Sequence, residues 1–147
     1  MATGLYIDGT RMIDKGVYMG DSFIEQLLTP PTLKEFTQND ARSRDGVQIL
    51  TSSPKVASRD LTLTFIITGD TPTEMAANKA ALLSILSNIQ IGVYVPEASD
   101  TETFWLTYTG RSVSFSIDLT RTVSKFAAKF TEADPTNREL ATWVKDL

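Results

Sequence analysis

The stretch over 58–95 constrains the fold most, because it changes from the period of a strand to that of a helix and back. Apolar residues at every second position of 61–67 predict a strand with one face in a core. Thr71-Pro72-Thr73-Glu74 then supplies a capping hydroxyl, a proline at the first helical position and a glutamate three residues after the cap. The apolar residues that follow at helical spacing are Met75, Leu82, Ile85, Leu86 and Ile89. The stretch predicts strand, capped helix and strand, the last over 89–95.

The other apolar segments predict more strands for this helix to cover. A short strand over 5–7 ends in a tight turn at Asp8-Gly9. Strands over 104–108 and 113–119 are expected to form a hairpin around Gly110, and a last strand precedes Asp134-Pro135. The predicted fold class is therefore α+β, a small antiparallel β-sandwich or barrel with one helix packed on it, as a single domain over 1–147.

Three segments are less regular. Residues 22–28 fit either a second capping box that opens a short helix or a buried apolar segment. Residues 33–36 and 47–50 are interpreted as extended, and between them 37–45 has only one apolar residue, which predicts a protruding loop. Residues 136–147 form a C-terminal arm, with a possible short helix that presents Leu140, Trp143 and Val144. Such an arm either folds back on the body or docks on a neighbour.

Composition removes several classes of function. The 147 residues suffice for one core, and they include no cysteine and no histidine. Disulfides, thiolate chemistry and the commonest general base are thereby excluded. The net charge of −4 argues against binding nucleic acid through its phosphates. No apolar run reaches membrane-spanning length, and the first residues do not resemble a signal peptide, so we expect a protein that acts without a membrane.

No motif marks a catalytic, metal or cofactor site. The glycines are scattered singly, and no glycine-rich phosphate loop occurs. Asp14 with Asp21, and Asp100 with Glu102, are candidate metal ligands only because they are near each other in loops. A serine nucleophile would lack a histidine to activate it, and a serine–lysine pair cannot be read from sequence. We expect no enzyme, no metal and no cofactor.

Three features have both a functional and a structural interpretation. The cluster of Lys55, Arg42, Arg44 and Arg59 could contact an anion or a partner, but alternation with aspartates favours a solvated loop. Trp105 and Tyr108 could stack on a ligand, although aromatic residues at strand positions more often fill a core or an interface. The strand over 113–119 presents apolar residues on one side and small hydroxyls on the other. That second side either packs closely on another surface or lines a passage.

The order of these elements resembles a known family. A polar loop that closes on Asp45-Gly46, the strand Ser58-Arg59-Asp60-Leu61-Thr62-Leu63-Thr64-Phe65, a capped helix, a strand, a hairpin and a last strand resemble the N-terminal ring domain of distal tail proteins of tailed bacteriophages. More broadly, the chain is similar to the tail-tube β-sandwich superfamily. The resemblance covers about 6–135, and the large second domain of many distal tail proteins has no counterpart in this sequence.

The resemblance implies a structural protein of the virion tail, assembled in the host cytoplasm into a ring that we expect to have six copies. The ring would lie at the distal tail or baseplate, within the tube, or at the position of a terminator ring. Its partners would be sister copies and other tail proteins (tube, hub, tape measure), with DNA only as passing cargo. We expect a lumen-facing row of Ser112, Ser114, Ser116 and Asp118. We expect an inter-subunit contact from the loop residues Asn39, Asp40, Arg42, Arg44 and Asp45, and a docking arm through Leu140, Trp143 and Val144.

Two other functions stay open at this point. The first alternative is a monomeric α+β module that binds a small ligand or a protein on the strand of Trp105 and Tyr108. The second is an enzyme that acts through carboxylates alone. Only the hypothesis of a tail structural protein predicts that copies of the chain assemble into a ring.

Overall fold

A computed structural model describes residues 4–31 and 57–147. The extended segments expected over 33–36 and 47–50, and the loop expected over 37–45, lie outside the described residues. The same holds for Lys55 and for the candidate contact residues Asn39, Asp40, Arg42, Arg44 and Asp45.

Eight strands and two α-helices make up the described chain. In chain order they are β1 (Tyr6–Ile7), β2 (Thr10–Arg11), β3 (Val17–Met19), α1 (Phe23–Leu28), β4 (Arg59–Thr68), α2 (Pro72–Leu86), β5 (Ile91–Tyr94), β6 (Phe104–Tyr108), β7 (Ser114–Ile117) and β8 (Val123–Glu132). Two 3₁₀ helices, Met12–Lys15 and Thr142–Asp146, complete the set. Asp8 and Gly9 both have positive φ, at 51° and 87°, which forms the tight turn predicted between β1 and β2.

The strands form one antiparallel sheet in the order β2-β1-β5-β6-β8-β4-β3, with β7 also paired to β8. β6 joins two parts of this sheet, because it pairs with β5 along one stretch and with β8 along another. The sheet as a whole forms a half-barrel. This confirms the α+β class, with an antiparallel β-sandwich or barrel and one main helix.

The pairing of β4 with β8 forms the centre of the molecule. Ten residue pairs join the two strands, from Arg59↔Glu132 to Thr68↔Val123. Every second residue of both strands is buried, as the alternation in the sequence predicts. Phe65 lies in the middle of this face, with ring centroids of Phe23, Phe126 and Phe130 between 5.3 and 6.1 Å away. The core therefore lies on one side of the sheet.

The helix α2 covers part of that core side and begins as predicted. Thr71 accepts a hydrogen bond from the amide of Glu74 at 3.1 Å, and Pro72 occupies the first helical position. Met75, Leu82 and Leu86 are its buried residues. Gly69 makes the sharp strand-to-helix connection possible, because a Cβ at this position would collide with the backbone of Met75.

The hairpin predicted around Gly110 is wrong. β6 and β7 do not pair with each other; both pair with β8 and run in the same direction along one of its edges. The amide of Thr109 donates to the carbonyl of Lys129, and the amide of Lys129 donates to that of Arg111, so the chain stays on β8 as it passes Gly110. The actual hairpin joins β7 to β8 through residues 118–122.

Two local predictions are also corrected. The helix α1 exists, but Ser22 has left-handed backbone geometry and makes no capping hydrogen bond, so the second capping box does not form. The C-terminal arm is irregular up to Ala141 and then forms a 3₁₀ helix, since only 142–146 adopt a helical turn.

Replacement of Thr71 by alanine is expected to lower the free energy of unfolding by about 1 kcal/mol, because the amide of Glu74 loses its acceptor. Chemical denaturation monitored by circular dichroism measures this change. Thr73→Ala, in the exposed first turn of the same helix, is the matched control. Equal losses in the two variants would contradict the capping role of Thr71.

Candidate assembly and channel surfaces

One face of the sheet formed by β3, β4, β8 and β7 points away from the core and is mostly polar. We call it the polar face. Its residues follow from the register: Tyr18, Ile66, Lys125 and Ser116 form one row across the four strands, and Thr64, Ala127 and Ser114 form the next. Thr62 and Lys129 make a third row. The small side chains of Ser114 and Ser116 therefore lie on the polar face, beside the two lysines.

Both lysines of the polar face are paired with aspartates. Lys125 Nζ lies 3.3 Å from Asp21 Oδ2, and Lys129 Nζ lies 3.5 Å from Asp60 Oδ2. Asp60 also accepts a hydrogen bond from the hydroxyl of Thr131 at 2.8 Å, and this bond, followed by the charge of Lys129, lowers the pKa of the Asp60 carboxyl. These four side chains bring no net charge to the polar face.

The opposite side of β7 is apolar and exposed. Phe115 and Ile117 share rows with the buried side of β8, yet both remain exposed. Val113, Phe115 and Ile117 are between 40% and 48% exposed, and Leu119 at the hairpin tip is fully exposed. Lys79 of α2 places its Nζ 4.1 Å from the centre of the Phe115 ring. An exposed apolar strand of this kind is typical of a contact surface.

The edge of β7 that faces away from β8 pairs with no strand among residues 4–31 and 57–147, and the same is true of the edge of β3 that faces away from β4. β7 and β3 lie at the same level of the sheet, because their residues share rows. At that level they are the two opposite edges of the sheet. Such edges can pair with strands of another chain.

Asp118 closes the hairpin between β7 and β8. Its carboxylate accepts hydrogen bonds from the amides of Thr122 and Val123 and from the hydroxyl of Thr120, the last at 2.6 Å. The Thr120 hydroxyl contributes most to lowering the pKa of Asp118, and the backbone amides add to it. At the other end, Ser112 has a positive φ of 53°. Ser112 and Asp118 belong to the predicted lumen-facing row but lie outside β7. They therefore occupy the turns at its two ends.

A buried group of charges lies at the end of the β4–β8 pairing that is farthest from the β7–β8 hairpin. Arg59 Nη2 lies 3.0 Å from Glu132 Oε1, and Arg138 Nε lies 3.1 Å from Glu132 Oε2. Glu132 is fully buried and Arg59 is 6% exposed. Burial lowers the pKa of Arg59; burial also acts on Arg138, but the carboxylates of Glu132 and Glu102 outweigh it and raise the pKa of Arg138. Arg59 is thus not part of a solvated basic cluster.

Arg59 also ties α1 to the sheet. Its Nη1 donates to the carbonyls of Gln26, Leu27 and Thr29 at 2.6 to 3.1 Å, at the C-terminal end of that helix. These carbonyls would otherwise lack helical partners.

The C-terminal arm lies on its own chain. Trp143 packs edge-on against Tyr94 with ring centroids 6.3 Å apart, and the amide of Ala141 donates to the buried hydroxyl of Thr103. Leu140 is 36% exposed and Val144 is half-buried. The structure therefore brings the arm back to the body, and a contact of Leu140 or Val144 with a neighbour stays a prediction.

The two aromatic residues considered as a ligand platform are both engaged within the chain. Trp105 donates from Nε1 to the carbonyl of Glu139 and lies over Gly92. The ring of Tyr108 packs against Phe126 and Phe130 at 6.3 and 5.5 Å. Their placement favours the structural interpretation of both residues.

Within the described ranges, no group of three or more acidic side chains is arranged to hold a metal ion. The candidate pairs Asp14 with Asp21 and Asp100 with Glu102 belong to no such group. Nor does any helix in this part of the chain combine the length and the apolar composition that a membrane crossing requires.

Comparison with known proteins adds one fold relationship. No protein-family model and no curated protein sequence matches the chain. A solved structure with a similar fold is the crystal structure of the SPP1 Dit protein, described as a paradigm of the hub adsorption apparatus in phages that infect Gram-positive bacteria. The TM-score is 0.57 and the sequence identity is 16%. The two chains share a fold.

The alignment covers 92% of this chain and 51% of the Dit chain, so the chain spans about half the length of that structure. The shared fold agrees with the fold that the resemblance to distal tail proteins implies. It extends over nearly the whole sequence.

Replacement of Glu132 by glutamine is expected to destabilise the fold by about 3–5 kcal/mol, because two guanidinium groups lose their buried carboxylate. Asp21→Asn breaks an exposed ion pair instead and should cost less than about 1 kcal/mol. Thermal and chemical denaturation measure both changes. Similar small losses in the two variants would contradict a structural role for the buried charges.

Replacement of Thr120 by valine is expected to raise the pKa of Asp118 toward its ordinary value of 3.8. The stability that ionised Asp118 contributes is present above that ordinary value and is lost as the pH falls through the lowered folded-state pKa. Titration of the carboxyl carbon by NMR measures the pKa. Thr62→Val, on the polar face, should leave it unchanged, whereas an ordinary pKa of Asp118 in the unmodified protein would refute the assignment.

Proposed function

We propose that the protein is a structural component of a bacteriophage tail, assembled from copies of this chain into a ring around the channel through which DNA passes. The observation that carries the proposal is the fold shared with the SPP1 Dit protein, a hub adsorption protein. A ring at the distal tail or baseplate and a ring within the tube both fit this proposal, as does a ring of six copies.

Two edges of the sheet, which pair with no strand in the described part of the chain, support assembly of a ring. A closed ring needs two different surfaces that fit each other, one on each side of every copy. β7 and β3 meet this requirement, because they are opposite edges at the same level. Three antiparallel steps separate them, so they run in opposite directions. A copy rotated about an axis along the strands would therefore place its β3 antiparallel to β7 of its neighbour, as in the rest of the sheet.

The same arrangement accounts for both sides of β7. Phe115 shares a row with Phe126, Phe65 and Met19 on the core side. An adjoining β3 would add its own Met19 beside Phe115 and cover apolar surface that is exposed in a single copy. Ser114 and Ser116 would then face the channel, as the predicted lumen row requires, with Ser112 and Asp118 at the ends of that row.

A monomeric module that binds a ligand on β6 is the alternative. Trp105 and Tyr108 are already packed against their own chain, so the strand offers no free aromatic platform. The geometry favours assembly over ligand binding. We propose no catalytic role for any residue.

Disulfide trapping tests the ring interface, because the chain contains no cysteine of its own. Tyr18→Cys combined with Ser116→Cys places thiols on opposite edges of the polar face, about 14 Å apart within one copy, too far for an intramolecular bond. Tyr18→Cys with Ser114→Cys tests the adjacent register. Under oxidation, at least one double variant should form a ladder of covalent oligomers that ends at a closed ring, read by denaturing electrophoresis and mass spectrometry.

Each single-cysteine variant is the matched control and can form at most a dimer. Both double variants remaining monomeric under oxidation, with light scattering also giving the mass of one chain, would refute ring assembly and favour the monomeric module.

A further inference from the structure

We propose that Asp21 and Asp60 neutralise Lys125 and Lys129, and so keep the polar face from holding DNA. This inference rests on the proposed function, in which that face lines the DNA channel. It assigns to two aspartates a role that concerns passage of the cargo and not the stability of the fold.

The lysines are placed where they would meet a polyanion. Both lie on the outer side of β8, separated by Ala127, and their side chains are 49% and 39% exposed. The side chains paired with the two lysines on this face, Ile66, Ser116 and Thr62, are uncharged. Without counter-charges, every copy in a ring would present two protruding ammonium groups to the phosphates of passing DNA.

The two carboxylates come from separate elements and reach the lysines from the same side. Asp60 lies on β4, where it pairs with Thr131 and reaches diagonally to Lys129. Asp21 lies in the turn after β3, and the amide of Gly20 donates to the carbonyl of Thr64 at 2.7 Å, which fixes that turn on the sheet. The 3.3 Å ion pair of Lys125 Nζ with Asp21 Oδ2 has the geometry of a hydrogen bond.

Stability alone does not account for these pairs. Exposed ion pairs contribute little to the free energy of folding, since solvent and salt screen them. Their effect on the charge of the face is large in comparison. A phosphate contact by lysine releases condensed counterions, and each such contact adds to DNA affinity in a salt-dependent way.

The test is binding of a short double-stranded DNA, measured by fluorescence anisotropy at low ionic strength. The variant Asp21→Asn/Asp60→Asn should gain DNA binding that the unmodified protein lacks. If two phosphate contacts are made, the affinity of this variant should fall about tenfold for a fourfold rise in salt concentration. Circular dichroism should show an unchanged fold.

Two controls make the result specific. Glu139→Gln/Asp146→Asn changes the net charge equally but alters only the C-terminal arm, and it should not bind DNA. The quadruple variant with Asp21→Asn, Asp60→Asn, Lys125→Gln and Lys129→Gln should lose the binding again. No gain of binding in the double variant, an equal gain in the arm control, or DNA binding by the unmodified protein would overturn the inference. Disulfide trapping tests ring assembly without reference to DNA binding. Failure of the ring proposal can therefore be distinguished from failure of the proposal on the two aspartates.

Discussion

The long antiparallel pairing of β4 with β8 is the constraint on which the rest of the structure depends. Ten residue pairs hold the two strands in one register, and a shift of either strand by one residue would turn its apolar side chains from the core side to the polar side. The register places Phe65 beside Phe126 in the core and Thr64 beside Ala127 outside. The polar face and the core side both follow from this register.

The two ends of the β4–β8 pairing differ in whether their side chains are covered within the chain. At the end with Arg59 and Glu132, buried charges join the sheet to α1 and to the C-terminal arm, so that end is satisfied within one chain. At the other end, β7 extends the sheet and leaves apolar side chains exposed. The proposed ring makes use of this asymmetry: one end would supply a rigid body, and the other would supply a surface for a neighbour.

Local patterns in the sequence predicted the elements that local patterns determine. The alternation in β4 and β8 and the cap at Thr71 could be predicted from the sequence, because each depends on neighbouring residues. Contacts between residues that are distant in sequence could not be predicted in this way. Nothing near Gly110 reveals that β6 and β7 share an edge of β8, and nothing near Arg59 reveals its buried partner Glu132. Lys125 and Asp21 are 104 positions apart, so the sequence could not show that the lysines beside the serine row are paired.

Electron cryo-microscopy of the assembled particle tests the central claim most directly, because it shows which strands of adjacent copies meet. The account predicts a ring in which β7 of each copy lies antiparallel to β3 of the next, with Ser114 and Ser116 on the channel wall and Phe115 covered by the adjoining copy. A particle in which the polar face points outward, or in which β7 and β3 contact no other copy, would contradict it.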